Sequence, residues 1–209
     1  MNMIFIISSP TGVGKSTVCD IIQKRYSDMV KRVITHTTRI PRENERNGED
    51  YYFVNEEDFQ KGIKNGDFVE WAMVHNNYYG TSKRALYDVL NAGFDVILAI
   101  DVQGAMNVIK FFDNAVSIFM LPPSFDEWMK RVNKDNVRYD VKNRLRTAID
   151  EFRYVNYFDY CIINDDLNST TKLLENIIVS EHYRLKFSKD KVNKLVLKLS
   201  KETKKYLGV

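Results

Sequence analysis

The chain has little cysteine, no long apolar run and no repeat, low-complexity or Pro/Ser-rich tract. Its two cysteines, Cys19 and Cys161, are too few to form a disulfide framework or a cysteine metal cluster, and a reducing cytoplasm suits them. No stretch approaches the roughly 18 consecutive apolar residues of a membrane span, and the apolar N-terminal run has no basic leader. We therefore expect a cytoplasmic protein without an export signal or a membrane contact.

Charge is unevenly distributed along the 209 residues. The net charge is +3, yet residues 184–209 contain Arg184 and eight lysines against Asp190 and Glu202, so the preceding residues carry a net negative charge. Because the positive excess is confined to the tail, we do not predict a nucleic-acid binder. The length, with 44% hydrophobic and 28% charged residues, suits one globular domain with an insertion or two small domains.

A phosphate-binding motif follows directly after the apolar run at residues 3–7. Gly12 and Gly14 can turn backbone N–H groups inward, Lys15 can reach terminal phosphates, and the Ser16 hydroxyl can bind Mg²⁺ at a helix N-terminus. The full motif begins with glycine, where this chain has Ser9. A glycine-rich turn that only caps a helix is the simpler alternative, but the order of strand, loop and helix favours binding of a nucleotide phosphate.

Alternating strand and helix patterns predict an α/β fold with an inserted segment. Helical spacing predicts a first helix from the loop to about Tyr26, and a strand follows near residues 33–34. Residues 35–81 are rich in short strand patterns and turns, with a short helix beginning near Asn55, and predict a small insertion. A helix from Ser82 to Asn91 and a buried strand at residues 96–100 are predicted next.

Asp101 stands at the carboxyl end of that buried strand. Ligands of open α/β sheets collect beyond the carboxyl ends of the strands, so we expect Asp101 to face the same crevice as the phosphate loop. A helix cap ahead of Gly104 is the alternative interpretation.

The second half of the core continues the same alternation. A strand is predicted at residues 116–121, a helix capped by Ser124 follows, and the last strand is predicted at residues 160–163 before a closing helix from Thr170 to about Leu185. Between them lies a charged segment that is either a solvated helix face or a kinase lid, and its cations are Arg138, Lys142, Arg144 and Arg146.

The lysine-rich tail shows helical periodicity. Its apolar residues recur at i, i+3, i+4, i+7 and i+14, and they are Val192, Leu195, Val196, Leu199 and Tyr206. This spacing predicts an amphipathic helix capped by Ser188. Docking of that helix on the body, with solvated lysines, is favoured over contact with a membrane or a partner.

Several motifs, in order and spacing, closely resemble the guanylate kinase family. Beyond the phosphate loop they are Thr37-Thr38-Arg39-Ile40-Pro41-Arg42, Asn47-Gly48-Glu49-Asp50-Tyr51-Tyr52-Phe53-Val54, Phe68-Val69-Glu70-Trp71-Ala72, Asn77-Tyr78-Tyr79-Gly80-Thr81, Ile100-Asp101-Val102-Gln103-Gly104, Pro122-Pro123-Ser124 and Ile163-Asn164-Asp165-Asp166. The resemblance covers about residues 3–183. It implies transfer of the γ-phosphoryl group of ATP to GMP, and to dGMP, giving ADP and GDP with Mg²⁺.

The resemblance also implies an architecture. We expect a P-loop NTPase-type parallel sheet core with helices on both faces, carrying an inserted mixed α/β GMP-binding subdomain and a short lid. The core would span residues 1–34 and 82–185, the insertion 35–81 and the lid about 126–143, all in a single domain at 1–185. Residues 186–209 would form a basic helical tail. A monomer and a homodimer are equally compatible with the sequence.

The acceptor site implied by the resemblance lies mainly in the insertion. Guanine presents two adjacent donors, N1–H and the 2-amino group, which a carboxylate can accept together, whereas adenine has an acceptor at N1. Glu70 matches the family position for that carboxylate. The residues implied for GMP binding are Thr35, Arg39, Arg42, Tyr51, Glu70, Tyr79, Gly80, Thr81 and Asp101, with the two arginines and two tyrosines around the phosphate.

The donor site implied by the resemblance is the phosphate loop and its surroundings. Lys15, Arg39, Arg131 and Arg144 are the candidate catalytic residues, because phosphoryl transfer needs two phosphates in line and cations around the migrating group. Ser16 is the candidate Mg²⁺ ligand. The residues implied for ATP binding are Ser9, Pro10, Thr11, Gly12, Val13, Gly14, Lys15, Ser16, Thr17, Arg131 and Asn164.

Three departures from the family pattern bear on ATP affinity. Ser9 replaces the first loop glycine, and Ala99 stands where an acidic residue usually precedes Ile-Asp. The lid lacks the usual Arg-Gly-Thr and is about two residues shorter, so Lys134 and Arg138 are both candidates for its missing arginine.

Two other functions fit parts of the pattern. A guanylate kinase-like module that binds a protein partner would keep the fold, but such modules typically lose the lysine-containing loop that this chain retains. A kinase for another nucleoside monophosphate is opposed by Glu70 and by the Tyr-Tyr-Gly-Thr run. ATP and GMP are thus the expected small-molecule partners.

Overall fold

The computed structural model describes residues 2–74, 76–134 and 141–207. In this part of the chain the strands are β1 (Ile4–Ser8), β2 (Val30–Arg32), β3 (His36–Thr37), β4 (Tyr52–Phe53), β5 (Phe68–Val74), β6 (Asn77–Ser82), β7 (Asp95–Ala99), β8 (Ala115–Leu121) and β9 (Tyr160–Ile163). The helices are α1 (Lys15–Arg25), α2 (Glu56–Asn65), α3 (Lys83–Asn91), α4 (Val102–Phe111), α5 (Phe125–Lys134), α6 (Val141–Phe152), α7 (Leu167–Glu181) and α8 (Leu185–Leu207).

A parallel sheet of five strands, in the order β2-β7-β1-β8-β9, forms the centre of the protein. Strand β1 lies in the middle because the chain first fills one side with β2 and β7 and then crosses to β8 and β9. This reversal places the carboxyl ends of β1 and β7 side by side, with Ile7 paired to Ala99. Open α/β sheets bind their ligands at such a point.

Strand β1 is buried on both faces, as parallel strands covered by helices are. Phe5 and Ile7 contact a core cluster that α1, α5, α6 and α7 cover, whereas Ile4 and Ile6 contact a second cluster that α3 and α4 cover. The predicted α/β class, with a parallel sheet and helices on both faces, is confirmed.

A smaller mixed sheet, in the order β4-β3-β6-β5, lies within residues 36–82. Strand β3 pairs in parallel with β4 and antiparallel with β6, which forms a hairpin with β5. Helix α2 begins after Asn55 because the Asn55 side chain accepts a hydrogen bond from the backbone N–H of Asp58 at 2.8 Å. The helix near Asn55 and the strand-rich character of this segment agree with the sequence pattern.

Two predicted boundaries in the core are wrong by a few residues. Strand β2 ends at Arg32, before the predicted residues 33–34, although the backbone N–H of Val33 still donates to the Ile97 carbonyl at 3.2 Å. Helix α7 begins at Leu167 rather than Thr170, because the Asp166 side chain caps it. Oδ1 of Asp166 accepts hydrogen bonds from the backbone N–H groups of Asn168 and Ser169, both at 3.0 Å.

The tail forms a helix, α8, but its predicted cap and its predicted docking are both wrong. The helix begins at Leu185, so Ser188 lies inside its first turn. Val192, Leu195 and Val196 remain 38%, 56% and 52% exposed, so the apolar stripe of α8 is not docked on the body. No helix in the described part of the chain has both the length and the apolar content needed to cross a membrane.

Candidate active site

The loop between β1 and α1 turns at Gly12 and Gly14, which have φ angles of 79° and 102°. L side chains rarely adopt this left-handed backbone, so glycine is needed at both positions. Space is short as well, because a Cβ on Gly12 would lie 2.7 Å from Cγ2 of Val132. The loop therefore wraps tightly in front of the N-terminus of α1, where backbone N–H groups can bind phosphate.

Ser9 fits the position where the motif usually has glycine. Asn76 is the sole residue other than glycine with a positive φ among the described residues, so Ser9 lies in backbone that any residue adopts. Its hydroxyl is buried and donates to the Pro10 carbonyl at 3.0 Å. The substitution therefore causes no backbone strain in the loop.

Side chains from the core hold the loop by its carbonyl groups. The indole N–H of Trp128 donates to the Thr11 carbonyl at 2.8 Å, and Nδ2 of Asn164 donates to the Val13 carbonyl at 2.6 Å. Oδ1 of Asn164 accepts from the Thr170 hydroxyl at 2.8 Å, so both ends of this buried amide are bonded. The amide of Asn164 therefore fixes the loop, and the role in ATP binding implied for this residue stays a prediction.

Lys15 is half-buried beneath the loop and reaches the neighbouring strand. Its Nζ donates to the carbonyl of Ile100, just beyond β7, at 2.7 Å. Burial lowers the pKa of Lys15, and the carboxylates of Asp101 and Glu151 partly oppose that shift. A phosphate chain would stabilise the charged ammonium of Lys15 more strongly than the neutral carbonyl of Ile100 does.

The loop opens into a cleft of about 890 Å³ between the core and the small sheet. Of the residues predicted for the two nucleotides, those on its wall are Ser9, Pro10, Thr11, Gly12, Val13, Gly14, Lys15, Ser16, Thr17, Thr35, Arg39, Arg42, Tyr51, Glu70, Tyr79, Gly80, Asp101, Arg131, Arg144 and Asn164. Thr81 is fully buried behind Glu70. The structure thus brings both predicted groups to a single cavity.

Glu70 reaches this cleft from the small sheet. A bulge in β5 between Phe68 and Glu70 shifts the register against β6 and turns the Glu70 side chain inward. The Thr81 hydroxyl donates to Oε1 of Glu70 at 2.5 Å. Burial raises the pKa of Glu70 to about 7, the Thr81 hydrogen bond opposes this, and the charge of Asp101 adds to it.

Asp101 fulfils both interpretations of its position. Its Oδ1 accepts from the backbone N–H groups of Gln103 and Gly104 at 2.8 and 3.0 Å and so caps α4. Its carboxylate also lines the cleft beside the phosphate loop. The two interpretations are therefore compatible, because a cap uses one oxygen and leaves the other to the cavity.

The arginine that precedes the proline in the insertion is already paired. Nη2 of Arg39 donates to Oε1 of Glu45 at 2.8 Å, and the backbone N–H of Arg42 donates to Oε2 at the same distance. The Arg39 guanidinium lies 5.4 Å from the ring centre of Tyr51, which in turn contacts Tyr79. Glu45 thus holds the Arg39 guanidinium and the backbone of Arg42, the two arginines that the phosphate of GMP is expected to use.

The two other arginines come from α5 and α6. Nη1 and Nη2 of Arg131 donate to the carbonyls of Asn164 and Asp165 at 2.7 and 2.9 Å, at the end of β9. Arg144 lines the cleft from α6. Both candidates for the missing lid arginine lie outside the described part of the structure, Arg138 as a whole and Lys134 with its side chain.

The sequence prediction missed four charged residues on the cleft wall, Arg32, Glu45, Asp50 and Glu151. Burial raises the pKa of Glu151 to about 7, with the charge of Lys15 opposing and that of Asp101 adding to the shift. Glu45 follows Arg42 by three residues and could have been found from the Thr-Thr-Arg-Ile-Pro-Arg motif. Glu151 carries no local signal, because α6 brings it to the cleft from a distant part of the chain.

The chemistry of the wall fits a divalent cation that arrives with nucleotide phosphates. The Ser16 hydroxyl and the carboxylates of Asp101 and Glu151 supply the oxygen ligands that Mg²⁺ prefers. Across residues 2–74, 76–134 and 141–207, no three His, Cys, Asp or Glu side chains come close enough to hold a metal by themselves. Phosphate oxygens would therefore have to complete the coordination.

Comparisons with known proteins agree with this architecture. The sequence model of the guanylate kinase family matches residues 1–181. The chain is 40% identical over 202 residues to the guanylate kinase of Buchnera aphidicola subsp. Schizaphis graminum, which covers 95% of this chain and 98% of that protein. It is 35% identical over 198 residues to the guanylate kinase of Thermotoga maritima, covering 94% and 95% of the two chains.

The fold gives the same result. A crystal structure of guanylate kinase from Anaplasma phagocytophilum matches with a TM-score of 0.75 at 32% identity, covering 89% of each chain. Since family model, curated relatives and fold agree over nearly the whole length, this chain belongs to the guanylate kinase family.

Proposed function

We propose that the protein transfers the γ-phosphoryl group of ATP to GMP, giving ADP and GDP, and that it also accepts dGMP. One observation carries this proposal beyond family membership. Glu70 on the small sheet and Lys15 on the core loop open into the same cleft, whose volume of about 890 Å³ suits two nucleotides. The core would bind the donor and the small sheet the acceptor.

Guanine recognition follows from the chemistry of Glu70. Its buried carboxylate can accept from N1–H and from the 2-amino group of guanine, and Thr81 orients it through Oε1. Adenine would place an acceptor against this carboxylate and leave a buried charge unpaired, which a binding site penalises heavily. Thr35, Gly80 and Asp101 would complete the wall around the base.

The phosphate of GMP would bind to Arg39 and Arg42 and to the phenols of Tyr51 and Tyr79. Arginine suits this role because its planar group can make two parallel hydrogen bonds to a phosphate. Since Glu45 already holds Arg39, the phosphate would enter a cradle whose cation is in position and would share or replace its carboxylate partner.

Transfer requires that the two phosphates lie in line and that the charge on the migrating group is neutralised. Lys15 would leave the Ile100 carbonyl to bind the terminal phosphates, while the N–H groups of the loop hold the rest of the phosphate chain. Arg131 and Arg144 would approach from α5 and α6 when the site closes. No covalent intermediate with the protein is needed.

Mg²⁺ would be held by the Ser16 hydroxyl and by ATP, and when bound it would supply positive charge to the phosphate oxygens. Ala99 has no carboxylate that could help to bind the ion. Asp101, just beyond the carboxyl end of β7, is therefore the carboxylate beside the loop that could do so. The position of Ser16 in the first turn of α1 suits this role.

A protein-binding module without catalysis, and a kinase for another nucleoside monophosphate, are the alternatives to this proposal. A coupled assay with ATP and each of GMP, dGMP, AMP, CMP and UMP separates them. We expect turnover with GMP and dGMP and little with the other three. Turnover of AMP equal to that of GMP would exclude the proposed specificity, and absence of turnover with every acceptor would favour the module.

A further inference from the structure

Gly104 lies in the first turn of α4, on the side of the core that faces the small sheet. It is buried, and its backbone N–H donates to Oδ1 of Asp101 at 3.0 Å. Its φ angle is outside the left-handed region, so the backbone there accepts any residue. The conformation of the chain therefore gives no reason for glycine at this position.

Space does give a reason, because the Glu70 carboxylate lies directly against Gly104. A Cβ added to Gly104 would collide with Oε2 of Glu70 and would lie 3.0 Å from its Cδ. A methyl group is too large for the room between them, since real Cβ atoms keep more than 3.0 Å from neighbouring atoms. Either the carboxylate or the helix would have to move.

The carboxylate has little freedom to move elsewhere. Its other oxygen, Oε1, accepts the hydrogen bond from Thr81 at 2.5 Å, and only 4% of the Glu70 residue is exposed. The backbone of Gly104 is equally fixed, because α4 packs on β1 and β8 through Ala105 and Val108. A side chain at position 104 would thus displace the carboxylate toward the cleft, where the base is expected.

We propose that Gly104 is a positioning residue for guanine selection: the missing side chain on α4 leaves the room in which the Glu70 carboxylate is seated. The inference rests on the proposed role of Glu70 in binding guanine. It places one determinant of acceptor specificity on the core, outside the small sheet that supplies the base contact itself.

A purely structural role for Gly104 makes a different prediction. Glycine weakens a helix relative to alanine, so Gly104→Ala at a position without a close neighbour would stabilise α4 and leave ligand binding unchanged. Crowding of Glu70 instead changes the selectivity among purine monophosphates. Selectivity is therefore the measurement that separates the two roles.

The first test is equilibrium binding of GMP, IMP and ATP to the Gly104→Ala variant. IMP keeps N1–H but lacks the 2-amino group, so it reports how well the carboxylate meets both donors of guanine. We expect the Kd for GMP to rise about tenfold or more, as for a displacement of about 1 Å, and the preference for GMP over IMP to fall. The Kd for ATP should stay unchanged.

Gln103→Ala is the matched control, because Gln103 is the exposed neighbour in the same turn of α4. We expect it to bind GMP, IMP and ATP as the unmodified protein does. An equal loss of GMP and IMP binding in Gly104→Ala, or an unchanged Kd for GMP in the folded variant, would overturn the inference.

A double-mutant cycle with Glu70→Asp gives a second test, because it compares the effect of Gly104→Ala with and without the crowded carboxylate. Aspartate is one methylene shorter and leaves room for a Cβ at position 104. We expect Gly104→Ala to weaken GMP binding much less in the Glu70→Asp background than alone. Additive losses would show that the two positions act independently and would overturn the inference.

The same experiments distinguish this inference from the proposed function on which it rests. If Glu70→Gln weakens GMP and ATP equally, or neither, the assignment of Glu70 to guanine is wrong. If Glu70→Gln weakens GMP selectively while Gly104→Ala leaves selectivity unchanged, only the role of Gly104 is wrong.

Discussion

The two halves of the cleft hold their charged side chains in different ways. In the phosphate-loop half, Lys15 bonds to a backbone carbonyl, and the loop around it is held by Trp128 and Asn164 from the core. In the small-sheet half, Arg39 is paired with Glu45 of the same segment. The loop half is therefore built by the core, whereas the cradle of the small sheet is built by its own residues.

Burial acts on both halves but in opposite directions. It lowers the pKa of Lys15 and raises the pKa of Glu70 to about 7, because each ion is less stable away from water. Both shifts show that the charged forms of Lys15 and Glu70 are destabilised in the free site. A bound nucleotide would compensate each of these charges. Binding of the two nucleotides should consequently respond to separate mutations and to pH in separate ways.

The largest expected effect comes from Lys15→Ala. Loss of the cation at the terminal phosphates should lower kcat by about 10²–10³-fold or more, as removal of a key electrostatic donor does in other sites. Binding of GMP, measured by calorimetry, should remain nearly unchanged because Lys15 belongs to the other half. A collapse of GMP affinity would show that the two halves are not separate.

Glu70→Gln should have a smaller effect, confined to the small-sheet half. Glutamine keeps an acceptor for Thr81 but replaces one acceptor oxygen with a donor, so GMP affinity should fall about 10–10²-fold. ATP affinity should change little, and measurement of both Kd values tests this. Equal losses for the two nucleotides in the folded variant would contradict the assignment of Glu70 to guanine.

The pH dependence of the acceptor site should be weaker still. Below about pH 7 the Glu70 carboxyl becomes protonated in the free protein, and the KM for GMP should rise by up to about tenfold per pH unit. The phosphate of GMP also titrates near pH 6, so Glu70→Gln is the control. The part of the pH profile that disappears in Glu70→Gln belongs to Glu70, and an unaltered profile would contradict the raised pKa.

Stability should respond to the same group with the opposite sign. Because the folded-state pKa lies above the ordinary value of 4.5, the folded protein binds the extra proton between about pH 4.5 and 7. Stability from this source is present below pH 4.5 and is lost as the pH rises through 7. Glu70→Gln should therefore raise the melting temperature at pH 8 more than at pH 5.

The smallest effect is expected from deletion of residues 186–209. The apolar residues of α8 are exposed, so kcat and both KM values should stay within about twofold and the melting temperature should change little.

A deletion that begins at residue 181 should, by contrast, be severely destabilising. It removes buried Glu181, which accepts from the Tyr160 hydroxyl, and His182, whose Nε2 lies 2.6 Å from Oδ2 of buried Asp95.

Much of the molecule follows from local sequence patterns. The loop from Ser9 to Thr17, the cap of α2 at Asn55 and the cap of α3 at Ser82 depend on neighbours within a few residues, so their sequences are sufficient to predict them. The α/β class follows in the same way from alternating strand and helix patterns. The end of β2 and the start of α7 were misplaced, since ladder pairing and the Asp166 cap decide them.

Contacts between distant residues required the tertiary structure. The sequence names Glu70 and Asp101 as candidates. The burial that raises the pKa of Glu70 and lowers that of Lys15, however, arises only when β5, β7 and the loop meet. Glu151 lacks any local signal, and the motif that contains Gly104 gives no sign of its contact with Glu70, because α6 and α4 bring these residues to the site from elsewhere in the chain.

The sequence by itself thus determined the phosphate loop, the alternation of strands and helices and the motifs of the guanylate kinase family, since each depends on spacing along the chain. Only the tertiary structure decided which charged groups are buried together, how Arg39 and Glu70 are held, and that the apolar stripe of α8 remains exposed. Burial and electrostatic coupling depend on distances in space, and sequence spacing does not give those distances.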